Sequence, residues 1–360
     1  MACEEHRGHR EAWRACKERN GECRGRFLAR FLFPFCASVF QTQTCMINDC
    51  TVRIKRPAMG CEFELMLCGR DRNYLVDAGN EAFEELARLE EQMSVFIPTS
   101  EVSYINASAA GGPVRVEPRL FNLLLTAARL SGETGGAFDI SAGPIVKRWG
   151  FTNDAGEFAM PSDAEIGDIV KKVGMSHVEL DVKECTIRFD GPGVALNLGA
   201  IGKGYAVREI VCLLRERGVT AGLVQGGPST VYAMGNPSDD DAWTVGVRSP
   251  TDRETRIATV RLKDQALSTS GGHERFVEVN GRRYSHVIDP RTGYPVCGLL
   301  AASAVTSDAV ESDALSTAFL VLGVEETREY CKAHDDLGAV LIPESEAGSA
   351  ANVIRIGLEQ

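Results

Sequence analysis

The sequence predicts an α+β fold, built as one compact, two-lobed unit over residues 46–360. Three observations point there. Apolar runs of strand length flank turn pairs at Met59 and Gly60, at Lys183 and Glu184, and at Asn280 and Gly281. Stretches of helical length with apolar residues on one face lie between them. No fixed-period repeat and no long linker divides the span.

Residues 54–68 alternate around Met59 and Gly60 and read as a strand or hairpin. Residues 75–93 read as a helix, because Ala82, Leu86, Leu89 and Met93 recur at i, i+4, i+7 and i+11. Pro118 opens a second helix with Leu120, Leu124 and Ala127 on its apolar stripe; the N–H that proline lacks has no helical partner in a first turn anyway. Residues 178–182 and 185–189 form a hairpin around Lys183 and Glu184, and residues 194–198 a short buried strand. A helix follows from about Lys203 with Ala206, Ile210 and Leu213 inward. Gly218 stands where a left-handed helix stop belongs. Residues 223–225, 231–234, 243–247 and 257–262 read as strands. Residues 276–279 and 282–286 flank Asn280 and Gly281 as a hairpin. Residues 314–322 form an almost wholly apolar helix.

The chain has 360 residues, with 39 Lys and Arg against 50 Asp and Glu, a net charge of −11. That balance excludes a dedicated nucleic-acid binder, which needs a basic surface to neutralise phosphates. Residues 1–45 differ in character, with a net charge of +3 and five of the 12 cysteines. They are read as an extension outside the folded unit: a start called too early with translation beginning at Met46, a poor export signal, or an appendage. Their apolar stretch, residues 27–40, is broken by Arg30 and Pro34 and is shorter than the roughly 20 residues of a spanning helix. Cys3, His6, His9, Cys16 and Cys23 do not have zinc-site spacing. Cys50, Cys61, Cys68, Cys185, Cys212, Cys297 and Cys331 are odd in number and contain no C-x-x-C pair. Scattered single thiols favour a reducing compartment, so a cytoplasmic location is expected, with an exported, membrane-anchored form as the alternative.

Four segments carry chemistry-bearing residues. Asp313 and Thr317 lie four apart, hence on one helical face, and offer hard oxygens suited to Mg²⁺; equally, Asp313 can serve as a helix cap. Residues 197–206 run from a strand through a glycine-rich turn holding Lys203 into a helix. Such a turn presents N–H groups to an anion, or is simply a tight turn. Residues 134–139 set Gly135 and Gly136 before Ala137, Phe138 and Asp139, as a loop approaching a flat ligand would, or a structural loop with one buried Phe. His286 and Asp289 leave a hairpin strand three residues apart, a spacing open to a base with its orienting partner and equally to structural roles. Residues 268–272 add hydroxyls and glycines just upstream, as in a phosphate-lined pocket. Walker A, G-x-S-x-G, H-E-x-x-H and G-x-G-x-x-G patterns are absent.

In order along the chain, these segments resemble the ApbE family of FAD:protein FMN transferases. The resemblance spans residues 55–325. It is carried by Met59 and Gly60, by residues 100–106, 134–139 and 198–206, by Gln225, Gly226 and Gly227, and by residues 266–271, 284–293 and 312–317. It implies the family's α+β fold of mixed or antiparallel sheets with flanking helices. It also implies an enzyme that uses Mg²⁺ and FAD, moves FMN onto a Thr or Ser hydroxyl of an acceptor flavoprotein, and releases AMP. The acceptor would be a redox-pump subunit or a fumarate reductase-like FMN-binding domain, and no nucleic acid would take part. On this resemblance His286 is the base and Asp289 its support. Asp313, Thr317 and the Ala200 carbonyl hold the metal, and Lys203 lies near the phosphates. Met59, Phe96, Ala137, Phe138, Asp139 and Ile288 line the FAD site. Cys61, Asn197, Pro228, Gly202 and Ser312 depart from the family pattern, and Asn197 and Pro228 bear on metal and phosphate geometry. The alternative activities are an FAD pyrophosphatase yielding FMN and AMP, and a non-catalytic FAD-binding protein.

Overall fold

A computed structural model describes residues 50–151, 160–237, 240–250, 252, 255–272, 276–279, 282–344 and 352–358. The elements run β1 (Cys50–Ala58), β2 (Cys61–Gly69), α1 (Arg72–Met93), α2 (Glu101–Ser108), β3 (Val114–Arg115), α3 (Pro118–Glu133), α4 (Gly143–Arg148) and α5 (Asp163–Val170). There follow β4 (Val178–Asp181), β5 (Thr186–Phe189), α6 (Gly202–Glu216), β6 (Ala221–Gly226), β7 (Thr230–Met234), β8 (Trp243–Arg248), β9 (Arg256–Leu262) and β10 (Gln265–Gly271). The chain continues through β11 (Phe276–Val279), β12 (Arg282–Ser285), β13 (Ile288–Asp289), β14 (Tyr294–Pro295), β15 (Leu299–Thr306), α7 (Ala309–Lys332), β16 (Gly338–Pro343) and β17 (Ile354–Ile356).

Eight strands form the central sheet in the order β1-β2-β6-β7-β10-β15-β16-β17, every neighbouring pair antiparallel. The β1–β2 turn has Met59 at φ 50° and Gly60 at φ 69°, the left-handed pair that matches hairpin twist. Strand side chains alternate between the two faces, so each face builds its own core. Phe63, Leu65, Leu67, Val224, Ala302 and Leu341 pack with α1, α6 and α7 on one side. On the other side Met66, Leu223, Val231, Leu267 and Val340 lie under the β8–β9 ribbon, which contributes Trp243, Val245, Val260 and Leu262. A third, small core of Ile145, Trp149, Phe151, Ile166, Tyr284 and Ile288 joins α4 and α5 to the loop after β12. The α+β class with antiparallel sheets and flanking helices holds.

Some expectations need correction. Residues 194–198 do not form a strand; they are extended, with one parallel bridge from Ala195 to Ala142. Their backbone bonds go elsewhere. The Asn106 side chain brackets Leu196, accepting from its N–H at 2.7 Å and donating to its carbonyl at 2.9 Å, and Asn197 N donates to Ile140 O at 2.7 Å. In α6 the fully buried position belongs to Leu214, with Leu213 half-buried. Gly218 does end α6: it sits at φ 75°, and Val219 N reaches back to Leu214 O. Asp313 does not cap a helix. The last helix starts at Ala309, and Asp308 caps it by accepting from Val310 N. Residues 1–45 and the Asn280–Gly281 turn lie outside the described residues. No described helix is long and apolar enough to cross a membrane.

Candidate functional site

The site is built where α6 crosses α7. At Gly204, in the first turn of α6, a Cβ atom would fall 2.2 Å from Ala309 O and 2.6 Å from Asp313 Cβ. Only glycine permits this approach, and the Gly204 N–H uses it to donate to Asp313 Oδ2 at 2.9 Å. A first-turn N–H has no helical partner of its own, so the contact satisfies both groups. The carboxylate is 4% exposed and also accepts from Thr230 Oγ1, at 3.2 Å on Oδ1. Lys203 Nζ stands 4.0 Å from the same oxygen. Two hydrogen-bond donors and a nearby ammonium thus hold a charge that burial alone would disfavour.

Strand β10 matches the face of α7. Ser268 and Ser270 are two residues apart, about 6.8 Å along a strand, while Asp313 and Thr317 are four apart, about 6 Å along a helix. The two spacings bring the residues into register. Ser268 donates to Thr230, which donates to Asp313, and Ser270 Oγ lies 3.0 Å from Thr317 Oγ1 and 2.8 Å from Ser316 Oγ. Thr269 points to the opposite face and pairs with Ser303 at 2.8 Å. Asp313 and Thr317 therefore face one cluster, as their spacing predicts. Thr230 belongs to that cluster too and has no signal in the sequence, since it lies 83 residues from its partner.

The half-buried Ala200 ends the turn into α6. It precedes Ile201, the N-cap of α6, so its carbonyl lies outside that helix's own hydrogen-bond ladder. Among the described residues, no group of three or more His, Cys, Asp or Glu is placed to hold a metal ion. The available donors are one carboxylate, hydroxyls and a carbonyl, the hard-oxygen set of a cation that completes its shell with substrate oxygens and water.

His286 lies on the other lobe, between β12 and β13. It meets the Phe151 ring edge-on, with centroids 6.3 Å apart. Asp289 is buried, and its carboxylate accepts from Arg291 N, Nε and Nη2 at 3.0, 3.0 and 3.2 Å. Its carbonyl takes the N–H groups of Thr292 and Gly293. Gly293, at φ 77°, is wedged against Ile166 and Val170 of α5, and its carbonyl accepts from Trp149 Nε1 at 2.8 Å. Helix α5 is anchored by a capping box between Ser162 and Glu165. The Ser162 N–H, followed by Arg148, holds the Glu165 carboxyl down to about 2. Ile288 is buried in this small core.

The remaining candidates divide by exposure. Phe96 is 71% exposed and Met59 is half-buried beside its turn, so both present apolar surface. Ala137 and Phe138 are each 1% exposed and pack in the main core, so their side chains build the loop from beneath. The Asp139 carboxylate accepts from Ser131 Oγ, Ser141 N, Ser141 Oγ and Met175 N at 2.9, 2.8, 2.6 and 3.0 Å, tying the end of α3 to residues 174–175. Arg291 joins these parts: its Cγ lies 3.5 Å from where a Gly136 Cβ would stand, and its guanidinium reaches Asp289 and, at 3.8 Å, Glu326.

An FAD:protein FMN transferase of Salmonella typhimurium strain LT2 is 28% identical over 309 residues, covering 84% of this chain and 87% of that protein. One from Klebsiella pneumoniae strain 342 is 31% identical over 264 residues, covering 72% and 80%. The crystal structure of the ApbE protein of Thermotoga maritima superposes with a TM-score of 0.78 at 27% identity, over 85% of this chain and 97% of that one. The ApbE family profile matches residues 59–341, which include the α6–α7 crossing and the His286 loop, and the chain belongs to the ApbE family.

Proposed function

We propose that the chain is an FAD:protein FMN transferase: it moves the FMN half of FAD onto a Thr or Ser hydroxyl of an acceptor flavoprotein, with Mg²⁺, and releases AMP. The names of its relatives support this reading. The observation that carries it is the buried Asp313 carboxylate, held by Gly204, Thr230 and Lys203 with Thr317 one turn on.

The reaction exchanges one P–O bond for another. The acceptor oxygen bonds to the phosphorus of the FMN half, the bond to the AMP oxygen breaks, and the hydroxyl proton must leave. An imidazole nitrogen of His286 takes that proton. Asp289 and Arg291 fix the turn that presents the imidazole. Asp313, Thr317 and the Ala200 carbonyl fit a Mg²⁺ ion, which when bound supplies positive charge to the diphosphate. Lys203, beside Asp313, and the first turn of α6 add further positive charge toward the same phosphates. Phe96 and Met59 offer faces for the flat rings, and the 134–139 loop would approach them through its backbone.

The test uses the full chain, FAD, Mg²⁺ and an acceptor domain bearing a flavinylation threonine. Flavin fluorescence on the denatured acceptor is read together with AMP. Labelled acceptor, with AMP formed only in its presence and both lost in His286→Ala, is the expected result. AMP without acceptor and without label makes the chain a pyrophosphatase. Bound FAD with neither product makes it a binding protein.

A further inference from the structure

A carboxylate that is to hold a cation inside a protein must first be held itself, because small rotations move its oxygens out of coordination. Behind Asp313 stands a directed chain of two hydroxyls. Ser268 Oγ donates to Thr230 Oγ1 at 3.3 Å, and Thr230 Oγ1 donates to Asp313 Oδ1 at 3.2 Å. Ser268 and Thr230 are 0% and 1% exposed. They are also cross-strand partners in the β7–β10 register, so the sheet fixes their separation. A hydroxyl has a single proton. Thr230 gives that proton to Asp313 and can therefore only accept from Ser268, which sets the direction of the whole chain.

We propose that Thr230, backed by Ser268, is the positioning residue for Asp313: it orients the carboxylate so that a divalent cation can be taken. The inference rests on the reading of Asp313 as a metal ligand. The local sequence explains why the task falls to Thr230. The loop before it runs Gly226, Gly227, Pro228, Ser229, and Pro228 has neither a polar side chain nor an N–H to offer. Thr230 is the first residue of β7, and its side chain is on the face that meets α7. Ser229 holds the strand start by accepting from Thr269 N at 2.7 Å.

The test is Mn²⁺ binding to the full chain in the presence of FAD, followed by the paramagnetic signal of free Mn²⁺, with thermal unfolding as a control. Thr230→Val keeps the shape and removes the hydroxyl. It should weaken Mn²⁺ binding about 10–100-fold, the usual cost of losing a partner behind a metal ligand. Thr230→Ser should restore binding to within about threefold. In turnover, Thr230→Val should raise the Mg²⁺ needed for half-maximal rate while kcat at saturating Mg²⁺ changes far less. A stabilising contact without a positioning role would lower the unfolding temperature and leave Mn²⁺ affinity alone; that result overturns the proposal. Should Thr230→Val not fold, Ser268→Ala leaves Thr230 in place but frees its orientation, and unchanged Mn²⁺ affinity there overturns it equally. Asp313→Ala separates the two levels. If it binds Mn²⁺ like the parent, the metal reading of Asp313 is what fails.

Discussion

Gly204 carries two requirements that no other residue meets together. It must allow Ala309 and Asp313 of α7 within contact of its own backbone, and it must leave its N–H pointing at the Asp313 carboxylate. Gly204→Ala places a methyl group 2.2 Å from Ala309 O, and because that atom is backbone, α6 and α7 must separate to admit it. The expected cost is about 3 kcal/mol of stability, read by denaturant unfolding, with divalent-cation binding lost alongside. Stability within error of the parent would mean that the crossing is looser than described. The same residues mark the limits of the sequence. Asp313 and Thr317 were legible as a pair because helical periodicity is local. Their environment was not: Gly204, Thr230 and Ser270 reach them across the fold. Asp139 and Phe138 were legible as special, since Gly135 and Gly136 announce an unusual loop, yet their side chains brace that loop from within the protein.

Among the elements, α7 consists of two helical segments joined across a kink without proline. Gly323 sits inside it at φ 78° and ψ −167°, a region that essentially only glycine occupies. A Cβ there would meet nothing within 4 Å, so Gly323→Ala tests backbone strain alone. It should cost about 1–3 kcal/mol and leave metal binding intact, because Asp313 and Thr317 precede the bend. Helix α5 gives a pH dependence. Its Glu165 carboxyl is held at about 2, first by the Ser162 N–H and then by Arg148, against an ordinary value of 4.5. A depressed folded value means that the stabilisation is present above the unfolded value and fades as pH falls from about 4.5 toward 2. Glu165→Gln should flatten that part of the pH–stability curve, measured by thermal unfolding at constant ionic strength, and an unchanged slope would count against the capping box. This helix was readable in principle from Ser162 and Glu165 at capping-box spacing. Residues 194–198 misled for the opposite reason. Their apolar alternation is real, but a side-chain amide, that of Asn106, takes the place of a neighbouring strand.

The molecule as a whole divides its chemistry between two unequal cores. The Asp313–Thr317 cluster stands on the large core around the eight-stranded sheet, and the His286 loop stands on the small one formed by Ile145, Trp149, Phe151, Ile166, Tyr284 and Ile288. Local stability follows the amount of buried apolar contact, so the small core should open at lower free energy than the sheet. Amide hydrogen exchange tests this directly. Amides of α4, α5 and residues 286–293 should exchange faster than those of β2, β6 and β10. The proposed reaction needs both lobes around one FAD, with the acceptor hydroxyl between His286 and the phosphates. FAD and Mg²⁺ at about 100 times their dissociation constant should then slow exchange in the small core by about 100-fold, if binding requires it closed. Slowing confined to the sheet side would place FAD on the large core alone and leave His286 to be brought in by the acceptor. Equal exchange from both cores without ligand would show that they open as one unit, and the division between the Asp313 lobe and the His286 lobe would then carry no mechanical meaning.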